Sequence, residues 1–491
     1  MKIDLVPNED EPPSGGSRPS PSALRPPASI EAFQHKNLDD DEFWRRIPQY
    51  RDVDRDTFLD WRWQGKNCVT NVKDLRATLQ DLVPEAFYRD VELGLARAPM
   101  TVRLTPYVVS RVDWQNRDRD PVRRQFLTIA SQLRPEHPMT HFDSLHEQEH
   151  SPVPGLVHRY ADKALFLTLD TCPVYCRFCT RSYSVGLDTQ KVEKLSMGLN
   201  RLRWERAFEY IRSRPEIEDV VISGGDTFQL KPDQIKLIGD TLLDIPHVRR
   251  MRFATKGLAV LPMKILTHHE WVDALAAVHR RARKAHKEVC IHTHFAHPNE
   301  ITGVTRDAMN RLFEEGITVR NQAVIMRGVN DDADTLKLLV KRLSYVNIHP
   351  YYLYQHDFVP GVEDLRTSLS TTLDLERRVR GATAGFNTPT FVVDVPGGGG
   401  KRDAHSFEHY DRTTGVSVFR SPNVDADALY LYFDPLHLLP AEGRARWSDP
   451  AEHGAIVEEA IAVVSPPKKQ LTSYETAAMT PTVFDRVVGH A

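Results

Sequence analysis

The sequence predicts an α/β fold in which a parallel sheet curls into a full or partial barrel. Between about residues 164 and 395, short apolar runs alternate with longer segments of helical periodicity, and the pattern repeats about six times. The candidate strands are residues 165–170, 219–225, 249–255, 288–295, 318–325, 347–354 and 390–395. In barrels of this kind the strand ends and the loops that follow them hold the reactive groups.

The composition is that of a soluble globular protein. Hydrophobic residues make up 41% of the 491 residues, and 64 Lys and Arg against 67 Asp and Glu give a net charge of -3. This balance excludes wholesale disorder and gives no sign of a nucleic-acid or anionic-membrane binder. No apolar stretch approaches the ~18 residues of a membrane span, and the N-terminus lacks a signal-peptide pattern. We therefore expect a cytoplasmic protein with no nucleic-acid or membrane partner.

Changes in composition along the chain divide it into four segments. Residues 1–40 are rich in Pro and Ser and predict a disordered tail. Residues 41–150 carry helical periodicity and predict a helical region that packs on a larger body. Residues 151–402 would form the barrel. Residues 403–491 would form a C-terminal extension, in which the apolar pattern weakens.

The strongest chemical signal is DTCPVYCRFCTR, which follows the first candidate barrel strand. Cys172, Cys176 and Cys179 are spaced C-x3-C-x2-C, and the other two cysteines, Cys68 and Cys290, are isolated. Three thiolates on one tight loop can hold three irons of a [4Fe–4S] cluster and leave the fourth iron open. A structural zinc site is the alternative, but such a site usually has four ligands, and only three cysteines cluster here. The spacing resembles that of the radical S-adenosylmethionine superfamily.

Glycines follow two other candidate strands. The run VISGGD ends in Gly224, Gly225 and Asp226, where glycine lets a ligand approach the backbone. The run FVVDVPGGGGKRD leads through four glycines to Lys401, but it fails the phosphate-loop pattern because Arg402 follows the lysine. A lysine on a flexible glycine arm suits Schiff-base chemistry.

Two histidine patterns are not interpreted as metal sites. Residues 146–150, HEQEH, satisfy the zinc-protease pattern, but Pro152 follows at once and the flanks lack the apolar face of an active-site helix. His292 and His294 alternate on a strand, whereas His297 falls in a turn. For His294, a role at the barrel mouth and an ordinary hydrogen-bonded histidine are equally consistent with the pattern.

Together these motifs resemble the lysine 2,3-aminomutase family of radical S-adenosylmethionine enzymes that use pyridoxal 5′-phosphate (PLP). The resemblance covers about residues 43–402 and includes HEQEH as a family linker. An ordered series of segments carries it: FWRRIP, DWRWQ, LTPYVVS, HEQEHSPVPGLVHRYADKALFL, CPVYCRFCTR, ISGGD, THFAHPNEIT, NQAVIMRGVND, PYYLYQHD and PTFVVDVPGGGGK. It implies a partial (βα)6-type radical S-adenosylmethionine barrel.

The resemblance also implies which residues bind the cofactors. The cysteines of the loop would hold the [4Fe–4S] cluster, and Lys401 would form the Schiff base with PLP. The predicted S-adenosyl-L-methionine site comprises Gly224, Gly225, Asp226 and His294. The other predicted PLP contacts are Arg159, Tyr160, Lys163 and Gln322. Lys163 stands where the family has an arginine, so a cation remains but the two-pronged geometry is lost.

Three charged residues match the family's substrate contacts. Arg181 matches the arginine that holds the substrate's carboxylate. Asp357 and Asp394 match the acids that bind the side-chain ammonium in the lysine enzyme, whereas relatives that use glutamate carry non-acidic residues there. Two buried acids repel each other unless a cation lies between them, so a cationic amino acid is expected. L-lysine is the expected substrate, and arginine is the alternative because a guanidinium also satisfies two carboxylates.

The implied activity is that of an isomerase that moves an α-amino group to the β-carbon and yields a β-amino acid. An electron donor such as flavodoxin or ferredoxin and a homo-oligomeric state are expected. The chain has no cysteine after Cys290, so the structural zinc of some family members is not expected. Two alternatives stay open. One is a radical S-adenosylmethionine enzyme without PLP, such as an epimerase or a modifier of RNA or protein; the other is a non-catalytic iron–sulfur or zinc protein.

Overall fold

The computed structural model describes residues 34–464 of the chain. Its centre is a nine-stranded sheet in which the strands follow one another in chain order, β1 to β9. A three-stranded sheet, β10 to β12, lies in the C-terminal part. The strands are β1 (Leu156–Tyr160), β2 (Lys163–Leu169), β3 (Asp219–Gly224), β4 (Arg250–Thr255), β5 (Glu288–Thr293), β6 (Thr318–Val324), β7 (Ile348–Tyr354), β8 (Thr390–Val395), β9 (Gly400–Asp403), β10 (His409–Tyr410), β11 (Val416–Ser421) and β12 (Asp425–Phe433).

Helices precede the large sheet, connect its strands and close the described part of the chain. They are α1 (Arg55–Leu59), α2 (Trp61–Lys66), α3 (Val72–Leu79), α4 (Glu85–Leu95), α5 (Pro106–Arg111), α6 (Pro121–Phe126), α7 (Arg201–Arg212), α8 (Pro232–Leu243), α9 (Gly257–Val260), α10 (Met263–Thr267), α11 (His269–Lys284), α12 (Gly303–Glu314), α13 (Ala333–Tyr345), α14 (Leu369–Val379), α15 (Ala441–Trp447) and α16 (His453–Val464). No helix among residues 34–464 is both long and apolar enough to cross a membrane.

Strands β2 to β8 are parallel, and each is joined to the next by a crossover segment that contains at least one helix. Strands β1 and β9 pair antiparallel at the two edges. The sheet curls so far that its edges meet, because the backbone N–H of Lys401 in β9 donates to the Tyr160 hydroxyl in β1 over 2.7 Å. The predicted partial barrel with six crossovers is therefore confirmed.

The alternation of side chains explains how the sheet separates a dry face from a polar one. In β4, Met251 and Phe253 are buried in the apolar core, whereas Arg250 and Arg252 are less buried and face the opposite side. The crossover helices cover the apolar face, so the polar face lines the inside of the curl. Side chains on this inner face are therefore available to line a site.

The N-terminal helices pack directly against the barrel. The hydroxyl of Thr105 donates to the carbonyl of Val260 over 2.7 Å, and the Tyr107 hydroxyl lies 2.9 Å from that of Thr302. Trp44 and Phe58 stack at 4.3 Å and belong to the same apolar core as the barrel strands. Helices α1 to α6 thus belong to the part of the chain that packs on the barrel.

The two outer segments lie partly outside the described residues. The predicted disordered tail, residues 1–40, falls mostly on residues 1–33, which are not described, and residues 465–491 of the predicted extension are not described either. Residues 39 and 40 are joined to the barrel, because Asp39 accepts a backbone hydrogen bond from Gly303 and Asp40 pairs with Arg306. The apolar runs VSVFR and ALYLYF of the extension fall in β11 and β12.

Candidate active site

The three-cysteine loop leaves the end of β2 and is anchored by the residues between its cysteines. Val174 and Phe178 are buried in apolar clusters. Arg177 is buried and pairs with Asp364 at 2.7 Å, and its backbone N–H donates to the carbonyl of Gln125. These buried side chains anchor the loop, whereas the three cysteines as whole residues are only partly buried.

Burial raises the pKa values of the three thiols. The pKa of Cys176 rises to about 12, and those of Cys172 and Cys179 also rise. The charge of Cys179 adds to the effect on Cys172 and Cys176, so the three thiols lie within electrostatic reach of one another. Nearby cations oppose the effect: Arg181 acts on Cys172 and Cys179, and Lys256 acts on Cys176.

The donor set of the loop suits a cluster better than a single ion. Within residues 34–464, no three His, Cys, Asp or Glu side chains converge to hold one metal ion. An iron–sulfur cube does not need such convergence, because each thiolate binds a different iron. Cations beside the thiols would also favour the deprotonated form that iron requires.

Gly224 and Gly225 pack against the chain that leads into the cysteine loop. Gly224 has a φ of 119°, and a Cβ on Gly225 would lie 2.6 Å from the backbone nitrogen of Thr171. Both glycines are therefore required by the close contact between β3 and the end of β2. A role in S-adenosyl-L-methionine binding stays a prediction.

Asp226 is buried, and its carboxylate accepts hydrogen bonds from two backbone N–H groups. Its Oδ1 accepts from the N–H of Phe228, and its Oδ2 accepts from the N–H of Lys256, each at 2.8 Å. Burial raises the pKa of Asp226. Its carboxylate therefore ties the ends of β3 and β4 together below the cysteine loop, where its charge also acts on Cys172.

His294 lies beside the cysteine loop. Its ring is 5.1 Å from that of Phe178, and its buried Nε2 has no hydrogen-bond partner among the described residues. Burial lowers the pKa of His294 well below its usual value. The neighbouring Lys256 donates to the His294 carbonyl and to Glu300, at 3.1 and 2.9 Å. A neutral imidazole with a free nitrogen is thus available at this mouth of the barrel.

Lys401 lies on the inner side of β9, opposite Asp394 of β8. Its Nζ donates to Asp394 Oδ2 over 2.8 Å and lies 5.6 Å from the centre of the Tyr354 ring. Burial lowers the pKa of Lys401, but the carboxylate of Asp394 raises it, and the balance lies well above the usual value. The lysine is therefore an ammonium held by an ion pair.

The glycine arm that precedes Lys401 is packed against neighbouring side chains. Gly397, Gly398 and Gly400 have φ values of 76°, 84° and 75°, and a Cβ on Gly399 would lie 2.6 Å from the ring of Tyr430. Glycine is the residue that adopts this backbone without strain. The arm places Lys401 at a fixed point.

Arg159 and Asp394 join the two edges of the sheet. Arg159 Nη2 donates to Asp394 Oδ1 over 3.3 Å, and its Nη1 donates to the carbonyl of Leu145. Although burial raises the pKa of Asp394, Lys401 and Arg159 together lower it below its usual value. Asp394 is thus an anion between two cations.

Asp357 lies within electrostatic reach of Asp394 and Lys401, and its carboxyl group is buried. Burial, and then the charge of Asp394, raise its pKa to about 7. Its buried Oδ1 has no hydrogen-bond partner among the described residues. The charges of Lys401, Glu147 and Arg181 also act on Asp357. These four groups therefore lie within electrostatic reach of Asp357, and we call the five together the polar chamber; Arg181 also acts on Cys172 and Cys179.

Arg181 is paired with an acid that the sequence analysis did not single out. Its Nε and Nη2 donate to the two carboxylate oxygens of Glu147 over 2.9 and 2.7 Å. The Tyr183 hydroxyl also donates to Glu147, over 2.9 Å. Glu147 belongs to the HEQEH segment, which forms turns here. A hydrophilic turn 34 residues from its partner gives no local signal of this pairing.

Gln322 and Lys163 occupy different surroundings. Gln322 lies on β6 and accepts from the Tyr354 hydroxyl over 2.9 Å, so it reaches the Lys401 neighbourhood. Lys163 lies at the start of β2, where its Nζ pairs with Asp162 at 3.0 Å and lies 4.3 Å from the centre of the Tyr160 ring. Phosphate contacts by either residue stay predictions. Tyr354, which sequence reasoning missed, connects Gln322 to the Lys401 ammonium.

No family model matches the chain. Among curated relatives, it is 38% identical over 359 residues to the L-lysine 2,3-aminomutase of Clostridium subterminale, a match that covers 73% of this chain and 80% of the relative. It is 35% identical to the L-lysine 2,3-aminomutase of Bacillus subtilis, covering 73% and 71%. It is 30% identical to the glutamate 2,3-aminomutase of Clostridioides difficile, covering 74% and 81%.

The similarity to solved structures is lower. Streptococcus suis SuiB, bound to the precursor peptide SuiA, superposes with a TM-score of 0.32 and 12% identity, over 47% of each chain. A radical SAM methyltransferase from Sphaerobacter thermophilus gives 0.33 and 18%, over 49% of this chain and 68% of that one. The curated relatives are aminomutases, which are isomerases. From their identity and coverage, this chain belongs to the lysine 2,3-aminomutase family.

Proposed function

We propose that the protein is a radical S-adenosyl-L-methionine, PLP-dependent 2,3-aminomutase that moves the α-amino group of L-lysine to the β-carbon. One observation carries the proposal. Asp394 is hydrogen-bonded to Lys401 over 2.8 Å, and Arg181 lies within electrostatic reach of both Asp357 and the thiols of Cys172 and Cys179, which supports one site that spans both ends.

The cysteine end of the chamber has the groups that a radical S-adenosylmethionine site needs. Cys172, Cys176 and Cys179 would hold a [4Fe–4S] cluster, and Gly224, Gly225, Asp226 and His294 would border its open side. The cluster, when bound with S-adenosyl-L-methionine, supplies the radical that removes a hydrogen from the substrate. The protein's own part is to exclude water and to hold the loop, which its buried Arg177–Asp364 pair supports.

The lysine end has the groups that a phosphorylated aldehyde needs. Lys401 would bind PLP covalently, and Arg159, Tyr160, Lys163 and Gln322 would contact it. The fixed glycine arm and the phenol of Tyr160 place the lysine backbone at the edge of the chamber. PLP, when bound, supplies an electron-delocalising ring to which the migrating nitrogen is attached. A lysine ammonium must lose its proton before it can attack a carbonyl carbon, and because the ion pair with Asp394 stabilises the ammonium, this pair must separate first.

The charges of the chamber favour a cationic amino acid. Asp394 already holds the Lys401 ammonium, which shows the kind of cation that this carboxylate accepts. Asp357 has a free oxygen, and its raised pKa falls when a cation approaches. Arg181 would bind the α-carboxylate. A substrate with a carboxylate at one end and a side-chain ammonium at the other complements both sets of groups.

The test is anaerobic reconstitution with iron, sulfide and PLP, followed by borohydride reduction and peptide mapping. We expect a cluster on the three cysteines and a reduced PLP adduct on Lys401. An adduct elsewhere, or none, would remove the PLP-dependent assignment even if the cluster forms, and would favour a PLP-independent enzyme. Loss of the cluster in a cysteine triple alanine variant, with PLP retained, serves as the matched control.

Substrate choice needs a second experiment. The reconstituted enzyme is incubated with S-adenosyl-L-methionine, a reductant and one of lysine, arginine, ornithine or glutamate, and β-amino products are then measured. We expect the largest turnover with lysine. If only arginine gives a product, arginine is the substrate in place of lysine. A product from glutamate would contradict the proposed roles of Asp357 and Asp394. A flavodoxin or ferredoxin is the electron donor that we expect to support turnover.

A further inference from the structure

We propose that Glu147 is the positioning residue of Arg181: it holds one edge of the guanidinium and leaves the Nη1 end for the carboxylate of the substrate. The identity of that carboxylate rests on the proposed function. The geometry of the pair does not, because it is built from contacts within the described chain.

Glu147 is held in place from several sides. Its side chain is 7% exposed, and it accepts hydrogen bonds from Arg181 Nε, Arg181 Nη2 and the Tyr183 hydroxyl. Its backbone N–H donates to Asp143 Oδ1 over 2.9 Å, and the next N–H, of Gln148, donates to Asp143 Oδ2 over 2.9 Å. A carboxylate fixed at both its backbone and its oxygens is part of the site and does not move aside easily.

The edge that Glu147 occupies decides what Arg181 can still bind. A guanidinium has five N–H donors in one plane, and the Nε and Nη2 edge receives a carboxylate in a bidentate pair. Among residues 34–464, the hydrogen bonds of Arg181 run from these two nitrogens to Glu147. The Nη1 donors and the second Nη2 donor remain for a ligand. The side chain of Arg181 is 19% exposed, so a ligand can reach it.

The location of the pair connects it to the chamber. The charge of Arg181 lowers the pKa of Asp357 and that of Glu147 raises it, so the pair lies within electrostatic reach of the predicted ammonium site. Arg181 also acts on Cys172 and Cys179. A small rotation of the guanidinium would therefore move the carboxylate end of a bound amino acid relative to both the thiols and the acids.

An alternative reading makes Glu147 an internal competitor that occupies the arginine until substrate displaces it. The two readings predict opposite effects of removing the charge. A positioning residue, once lost, lets the guanidinium turn away and weakens substrate binding. A competitor, once lost, frees the arginine and strengthens binding. The anchoring by Asp143 and Tyr183 favours the first reading.

The experiment measures equilibrium binding of lysine and of lysinamide, which lacks the carboxylate, to the anaerobically reconstituted enzyme. We expect Glu147→Gln to weaken lysine binding by about tenfold or more, because it breaks a buried charge pair. Lysinamide binding should change by less than about threefold, since the amide does not need the arginine's charge. Glu149→Gln is the matched control: Glu149 is in the same segment but is 61% exposed and contacts His146.

Each other outcome overturns the inference. Tighter lysine binding in Glu147→Gln identifies a competitor, and equal weakening for lysine and lysinamide identifies a merely structural effect. If Glu147→Gln does not fold, Tyr183→Phe removes one of the three hydrogen bonds to Glu147 and should show the same preference with a smaller change. If the wild-type enzyme binds neither compound, both the proposed function and this inference are wrong. If the wild-type enzyme binds lysine and Glu147→Gln binds it equally well, only this inference is wrong.

Discussion

At the level of single side chains, Asp394 is the acid that pairs with two different cations of the site, Lys401 and Arg159. It accepts from Lys401 on one oxygen and from Arg159 on the other, at 2.8 and 3.3 Å. The same carboxylate is predicted to bind the substrate's ammonium. Its negative charge therefore serves both the lysine of the chain and the cation of a ligand, and both effects can be measured by removing it.

We expect Asp394→Asn to raise the KM for lysine by about tenfold or more, because an amide cannot replace a carboxylate as the partner of a buried ammonium. Steady-state kinetics of the reconstituted enzyme give this value. Asp403→Asn, on the exposed end of β9, is the control and should leave the KM unchanged. An unchanged KM in Asp394→Asn would remove this residue from the substrate site.

Asp357 permits a prediction about pH. Burial raises its pKa from 3.8 to about 7, so the folded protein holds this proton more tightly than the unfolded chain does. The stabilising contribution is complete below pH ~4 and is lost as the pH rises through about 7. Asn cannot titrate, so Asp357→Asn should gain stability relative to wild type between pH 4 and 7, by on the order of 2–4 kcal/mol, and keep a constant advantage above that.

Melting temperatures of the cofactor-free proteins at intervals from pH 4 to 8 give the difference. Asp427→Asn, at an exposed aspartate in β12, is the control for the loss of a surface carboxylate. A flat difference for Asp357→Asn would mean that the carboxyl of Asp357 is charged throughout this range. The assigned environment would then be wrong.

At the level of elements, the contact between β2 and β3 supports the cysteine loop. Gly225 touches the backbone of Thr171, the residue before Cys172, and Gly224 touches the end of β2. The loop itself is then fixed by Val174, Arg177 and Phe178. The spacing of the cysteines and the glycines of the neighbouring strand are therefore parts of one structural unit.

We expect Gly225→Ala to lower iron and sulfide uptake during anaerobic reconstitution by more than half, since a Cβ cannot fit 2.6 Å from the Thr171 nitrogen without moving the loop. Iron and sulfide analysis of the purified chain gives the result, and far-ultraviolet circular dichroism shows whether the fold persists. Gly385→Ala is the control, because nothing lies within 4 Å of a Cβ there. Full uptake in the Gly225 variant would show that the loop tolerates the shift.

The parallel strands could be predicted from sequence because each is a short apolar run bounded by helical segments, and β2 to β8 coincide with the seven predicted runs. Strands β1 and β9 could not be predicted in this way. Both are short edge strands, and β9 contains Gly400 and Lys401 in place of apolar residues. The pairing of Glu147 with Arg181 was also beyond prediction, because a polar turn and a polar loop carry no periodicity. The predicted roles of the site residues are still predictions.

At the level of the whole molecule, side chains rather than strand-to-strand backbone hydrogen bonds connect the two edges of the partial barrel. Strands β1 and β9 are the two ends of the nine-stranded sheet. The backbone of Lys401 reaches the Tyr160 hydroxyl, and Arg159 reaches Asp394. We call this junction the seam. A junction held by so few hydrogen bonds opens more easily than a strand ladder does.

We expect Tyr160→Phe to speed amide hydrogen exchange in residues 400–403 by about fivefold. This is the change that follows from the loss of one hydrogen bond worth about 1 kcal/mol. Exchange in β4, which lies in the middle of the sheet, should not change. Mass spectrometry of peptides from the exchanged protein gives both rates. Equal acceleration in β4 and β9 would indicate global destabilisation, and no acceleration in either would mean that the seam does not depend on this hydroxyl.

The pairing of Lys401 with Asp394 also bears on the sequence of binding events. An ammonium tethered 2.8 Å from the acid competes with any free amine at an effective concentration in the millimolar range or higher. An incoming amino acid therefore meets an anion that is already neutralised. The acid becomes available only when the tethered amine is engaged elsewhere, so a chain that binds vitamin B6 at Lys401, as proposed, should admit this cofactor before it admits its amino acid.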